Sequence, residues 1–208
     1  MTGVQTCALP IFRNTTDKRS DYIRGFQMGG RASQVGWPRG YEQAGVGVDF
    51  KQSMSQPGPW KIRLTGAGET LPDINNRMTL DPQVKDAWGI PVPHFDVRFG
   101  DNEAKMRMDI MNCAAEMLDA AGFKNIDAYN NPQAPGKYIH EMGGARMGRD
   151  PNTSVLNAYN QSHDIPNLFV TDGACMTSSA NQNPSLTYMA LTARAADYAT
   201  RMLRDKKI

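Results

Sequence analysis

The 208-residue chain has few cysteines and histidines, and it lacks long apolar runs and blocks of like charge. Its three cysteines, at 7, 113 and 175, are too few and too scattered for a disulfide framework. Its three histidines, at 94, 140 and 163, lack the ligand spacing of a zinc site, so no metal is expected. No stretch approaches the roughly 20 apolar residues of a membrane-spanning helix. A net charge of +2 without a basic or acidic tract gives no footprint for nucleic acid or anionic lipid. Repeats and low-complexity tracts are missing as well. What is present, 40% hydrophobic and 21% charged residues, suits a piece of a globular enzyme: one domain, or a domain and part of another.

Residues 1–11, MTGVQTCALPI, match the conceptual translation of a common sequencing adapter with GTG read as the start. Such a scar stands outside any fold argument; a genuine leader is the competing reading. The adapter reading implies a longer protein upstream. No signal peptide is visible, and localisation stays open because a lost N-terminus could have carried one.

Residues 17–49 are rich in glycine and carry Tyr22, Phe26, Trp37 and Tyr41, which predicts strands and turns lining a surface rather than a helix. With Gln34, Arg39 and Gln43, that surface would suit a sugar ring. Residues 60–64 alternate like a strand with one buried face, 69–80 read as a turn into a strand, and 94–99 as an edge-like strand after Pro91 and Pro93. From Asp101 or Asn102 a long helix is expected, with Met106, Ile110, Ala114, Met117, Leu118 and Ala121 on one face and Gly122 ending it. The methionines there read as gap-filling core. Gly66-Ala67-Gly68 lacks a third glycine and a following helix, so it is no dinucleotide fingerprint. Strands followed by one strong helix predict an α+β layer with an antiparallel sheet.

The C-terminal third carries the chemistry. His140 opens a glycine-rich turn, HEMGGARMG. The apolar run 167–171 reads as a buried parallel strand, which puts Asp172 and Gly173 at a carboxyl strand end, where ligands gather in α/β sheets. Asp172 can accept from a ribityl hydroxyl and Gly173 permits close approach; a plain Asp–Gly turn is the competing reading. Asn183 is expected as N-cap, with Pro184 and Ser185 in the first turn of a helix whose stripe is Leu186, Met189, Ala190, Ala193, Ala196 and Leu203. Such a helix start favours an anion, as a reduced flavin is at its N1 and C2-carbonyl edge. Alternatively the Asn183 amide caps its own helix, leaving only its NH2 end for a substrate.

Residues 137–198, with HEMGGARMGRDPNTSVLN, IPNLFVTDGACMTSSANQNPSLT and MALTARAADYA, resemble the C-terminal segment of the glucose-methanol-choline (GMC) family of flavin oxidoreductases. GETLPDINNRMTLD and the helix after FGDNEAK resemble its substrate domain more weakly. The resemblance implies FAD held by an N-terminal Rossmann-like half, with a site pairing a His with a second His or Asn. His140 takes the first position and Asn183 the second; Asn181, which precedes no proline, takes neither. Asp172, Gly173, Asn183, Pro184 and Ser185 fall on the cofactor side. The implied chemistry is oxidation of an alcohol or sugar carbinol: His140 accepts the hydroxyl proton, Asn183 supports the developing alkoxide, and hydride passes to the flavin. The nearest branch is that of the sugar dehydrogenases, which implies a small partner subunit and a cytochrome as acceptor. The domain layout is then an adapter scar over 1–11, an incomplete substrate-binding domain over 12–136, and over 137–208 the active-site segment. The last supplies a strand and a helix returning to an incomplete Rossmann-like FAD domain. Two other readings stay open: an inert truncated domain, and a carbohydrate-binding module without redox chemistry.

Overall fold

The computed structural model describes residues 5–11, 13–130, 134–137, 140–180 and 182–208. The chain divides into two compact units, Met1–Pro132 and Gln133–Ile208. Their elements give an α+β protein with two antiparallel sheets and three α-helices among the described residues.

In the first unit, β1 (Gln5–Ile11), β2 (Phe26–Gln34) and β3 (Trp60–Gly68) form one sheet in that order. β1 pairs with β2 from Gln5↔Ala32 to Ile11↔Phe26, so part of the stretch read as an adapter scar makes a strand. Backbone pairing at a sheet edge asks little of side chains, which is how so ordinary a sequence can be seated there. β3 realises the predicted alternation: Ile62 and Leu64 turn inward, Lys61 and Arg63 outward. A second, two-stranded sheet joins β4 (Arg77–Lys85) to β5 (Pro91–Asp96), with a register shift between Leu80 and Lys85.

The predicted long helix is α2 (Asp101–Ala120), and Gly122, at φ 82°, follows its end. Glu103 locks the start: its carboxylate accepts from the backbone N–H of Gly100 at 2.8 Å and of Leu71 at 2.9 Å. The core gathers Tyr22, Phe26, Met28, Met106 and Cys113, with Ile110, Ala114 and Met117 packed against it. Each fully buried apolar side chain there contributes about 1.5–3 kcal/mol. Gly66 and Gly68 let α2 settle on β3, since a Cβ at Gly66 would stand 2.1 Å from Ile110 Cγ2 and one at Gly68 2.2 Å from Met106 Sδ. Polar ties close the base of this core: Tyr22 donates its hydroxyl to Asp109 Oδ2 at 2.5 Å, and Arg13 donates to the same carboxylate at 2.8 Å.

Two expectations for this unit give way. A short helix, α1 (Gly47–Ser55), follows a 3-10 turn at Trp37–Tyr41 and extends beyond the stretch predicted to be strands and turns. It packs Phe50 and Met54 beside Gly40, a contact too sparse to leave a helical stripe. Arg39, proposed as a sugar contact, is committed instead to four backbone carbonyls, those of Val35, Gly36, Ser53 and Gln56. The side chain of Trp37 lies outside the described set.

The second unit is mostly irregular chain closed by α3 (Ser185–Arg204). The expected parallel strand over 167–171 does not form among the described residues. That stretch makes one antiparallel bridge, Gln161↔Phe169, with Val170 N donating to Asn160 O at 3.0 Å. A ladder needs a neighbouring strand, and a lone apolar run can signal only the tendency to form one. No described helix is long and apolar enough to cross a membrane.

Candidate active site

The half-buried His140 leads into the glycine-rich turn, and that turn lies along a second one. Ala145 N donates to Ala174 O and Met147 N to Cys175 O, both at 2.9 Å. The second turn is a 3-10 turn over Gly173–Cys175, with Asp172 as its N-cap: Asp172 Oδ1 accepts from Ala174 N at 2.9 Å. The Asp–Gly turn reading is therefore realised, and it uses one of the two carboxylate oxygens.

Gly173 sits where three segments meet. A Cβ there would stand 2.8 Å from Tyr188 Oη, 3.2 Å from Met142 Sδ and 3.3 Å from Glu141 O. Glu141 and Met142 directly follow His140, while Tyr188 belongs to the first turn of α3, its N–H donating to Pro184 O at 3.0 Å. The His140 turn, the Asp172–Gly173 turn and the helix start thus converge on one glycine.

At the helix start the expected roles shift by one residue. Pro184, buried, takes the N-cap position with φ −89° and ψ 11°, and α3 begins at Ser185. Asn183 is thereby displaced from the cap, because Pro184 itself supplies the carbonyl that closes the first turn. No side chain caps α3, so the exposed Asn183 carboxamide is not spent on its own helix. The N–H groups of Ser185, Leu186 and Thr187 precede the first intrahelical acceptor pairing and present donors and the positive dipole end. Asn181, set aside from the sequence, lies outside the described residues.

Residues that the sequence did not single out hold this arrangement. Asn160, fully buried with φ 63°, donates through Nδ2 to Val170 O at 3.0 Å and accepts at Oδ1 from Arg194 Nη2 of α3 at 3.1 Å. Its left-handed backbone is one that Asn tolerates, and this is the only advance signal its sequence carried. Tyr159 stacks on Tyr198 of α3 with centroids 4.1 Å apart, and Phe169 meets Tyr198 edge-on. His163 ties two loops of this unit together, with Nε2 3.1 Å from Ser154 Oγ and 3.3 Å from Gly148 O. Burial raises the Cys175 thiol above its ordinary pKa, which keeps the thiol protonated at neutral pH beneath the Gly173 turn.

The inward face of α3 also differs from expectation. Tyr188, Leu191, Ala195, Tyr198, Ala199 and Met202 are its less exposed positions. The anticipated stripe of Leu186, Met189, Ala190, Ala193, Ala196 and Leu203 is solvent-exposed, with Leu186 at 77% and Leu203 at 66%. α3 is apolar on two sides, and the sequence shows both without ranking them.

Comparison with known proteins follows the same outline. A family model described as GMC oxidoreductase matches residues 72–192. The chain is 33% identical over 199 residues to 2-methyl-1,2-propanediol dehydrogenase of Mycolicibacterium austroafricanum, covering 91% of this chain and 35% of that protein. It is 31% identical over 200 residues to the fructose dehydrogenase large subunit of Gluconobacter japonicus, covering 94% and 36%. It is 30% identical over 149 residues to pyranose 2-oxidase of Tricholoma matsutake, covering 65% and 25%. The chain spans about a third of the length of the first two relatives. With more than half its residues matched by that model, the chain belongs to the GMC oxidoreductase family.

Proposed function

We propose that this chain is the substrate-side and active-site part of an FAD-dependent oxidoreductase acting on the CH–OH group of an alcohol or sugar. The observation that carries the reading is the convergence on Gly173 of the turn after His140 and the first turn of α3. Likeness to dehydrogenases and an oxidase of diols and sugars supports the substrate class.

The residues present fit a flavin. Ser185 and its neighbours at the uncapped helix start offer backbone N–H groups to an anionic ring edge, and Asn183 adds a free carboxamide. Asp172 keeps one carboxylate oxygen for a hydroxyl, while the glycine at 173 answers to the close packing of Tyr188, Met142 and Glu141 around it. Bound FAD would supply the two-electron acceptor that no side chain can provide. His140 accepts the hydroxyl proton at a ring nitrogen, a task suited to an imidazole near neutral pH. Asn183 donates through Nδ2 to the substrate oxygen as alkoxide character grows. In the full-length protein, His140→Ala lowers turnover by about two to four orders of magnitude, the range for loss of general acid–base catalysis. Unchanged turnover, measured as reduction of an artificial electron acceptor, would sink the assignment.

Residues 12–136 act as the substrate-binding domain and 137–208 as the segment that returns to a Rossmann-like FAD domain. The exposed apolar face of α3 supports that return, because so long an apolar face is suited to burial against another layer. It equally supports a chain inert by itself until joined to the FAD half. A small partner subunit, supported by likeness to a protein named as a large subunit, completes the proposal, with a cytochrome as the acceptor it would serve.

A further inference from the structure

We propose that Tyr188 is the positioning residue of this site, a rigid wedge that fixes the His140 turn against the Asp172–Gly173 turn and so sets where the imidazole stands relative to the helix start. Its purpose rests on the functional reading above; its geometry does not. Tyr188 lies one helical turn after Pro184, and its N–H donates to Pro184 O at 3.0 Å, so its backbone is fixed by the cap itself. Side chains in a helix lean toward its N-terminus, which carries the phenol back toward Asn183 and Pro184. Its hydroxyl reaches Met142 Sδ at 3.6 Å and crowds the site where a Gly173 Cβ would be, a point shared with Met142 Sδ and Glu141 O. His140 is one peptide from Glu141, about 3.8 Å between Cα atoms, so a displacement of that carbonyl is transmitted to the imidazole.

A merely structural role fits less well. α3 is held to its unit by other residues: the Arg194–Asn160 hydrogen bond, the Tyr198–Tyr159 stack and the buried Ala195. The Tyr188 hydroxyl meets both site turns, at Met142 and at Gly173. An aromatic ring has few rotamers, which suits a part whose work is to hold a distance, and a misplacement near 1 Å can cost about a hundredfold in rate.

The test uses the 208-residue chain and the ring Cε1–H resonances of its histidines, with no flavin present. Tyr188→Ala shifts and broadens the His140 resonance and leaves His163, held to Ser154 and Gly148, in place. Gly173→Ala also displaces the His140 resonance, because its methyl meets the phenol oxygen. Tyr188→Phe alone moves it less than Tyr188→Ala does, and the double variant Gly173→Ala with Tyr188→Phe moves His140 back toward the wild-type position, a coupling that independent sites would not show. An unmoved His140 in Tyr188→Ala with His163 in place overturns the proposal. If Tyr188→Ala disturbs both histidines, the double variant decides, and simple additivity overturns it. Failure of the catalytic reading would show instead in the turnover of the His140→Ala full-length protein, which these spectra do not touch.

Discussion

Gly66 and Gly68 carry no chemistry of their own, yet they set how closely α2 approaches β3. A methyl at 66 would overlap Ile110 Cγ2, so Gly66→Ala should cost about 1–3 kcal/mol in a urea melt, and adding Ile110→Ala should return part of that loss. A loss unchanged by the second substitution would show that the strand itself resents the methyl. Glu103 gives a pH-dependent case. Burial pushes its carboxyl up, but the N–H donors of Leu71 and Gly100 outweigh burial and hold it below the ordinary value of 4.5. A carboxylate depressed by folding stabilises above its unfolded pKa, and that contribution is lost as pH falls through the folded one. The Tm advantage of the native chain over Glu103→Gln is therefore expected to be full near neutrality and to shrink below about pH 4.5. At this scale the sequence revealed side chains whose partners are close by in the chain or repeat periodically. The Met106 stripe was visible for that reason. The long-range work of Asn160 and Tyr188 was not, since a buried amide and a wedging phenol look like any others until their neighbours are known.

α3 shows what a helix pattern can and cannot tell. Its length and start were legible within two residues, because Pro184 can close a first turn but cannot continue a helix behind it. Its orientation was not, because apolar residues occupy both sides. The two faces should respond differently to substitution. Met189→Lys or Ala193→Lys on the outer face is expected to change the stability of the chain by less than about 0.5 kcal/mol, while Ala195→Leu on the inner face costs about 1–3 kcal/mol. Thermal melts check both, and equal costs on the two faces would contradict the assignment of inside and outside. The run 167–171 failed as a strand for a related reason: pairing is a property of two segments, and only one of them is apparent in a linear pattern.

For the molecule as a whole, the proposed division of labour predicts that the purified chain holds no flavin absorbance. Adding a separately produced FAD-binding half of the same protein should yield a complex whose formation fails with Met189→Lys. Flavin retained by the chain alone would remove the need for that second half. The candidate site was legible as an ordered set of motifs, His140, Asp172–Gly173 and Asn183–Pro184–Ser185, because each carries its own local chemistry. Their meeting at Gly173 was not, because glycine has no side chain to announce a crowded junction. A different consequence attaches to β1. Its ladder with β2 covers a row of amide and carbonyl groups from Phe26 to Ala32, and a chain beginning after Ile11 would bare that row to solvent. Such a truncation should self-associate in light scattering, two copies lending each other the strand that each had lost.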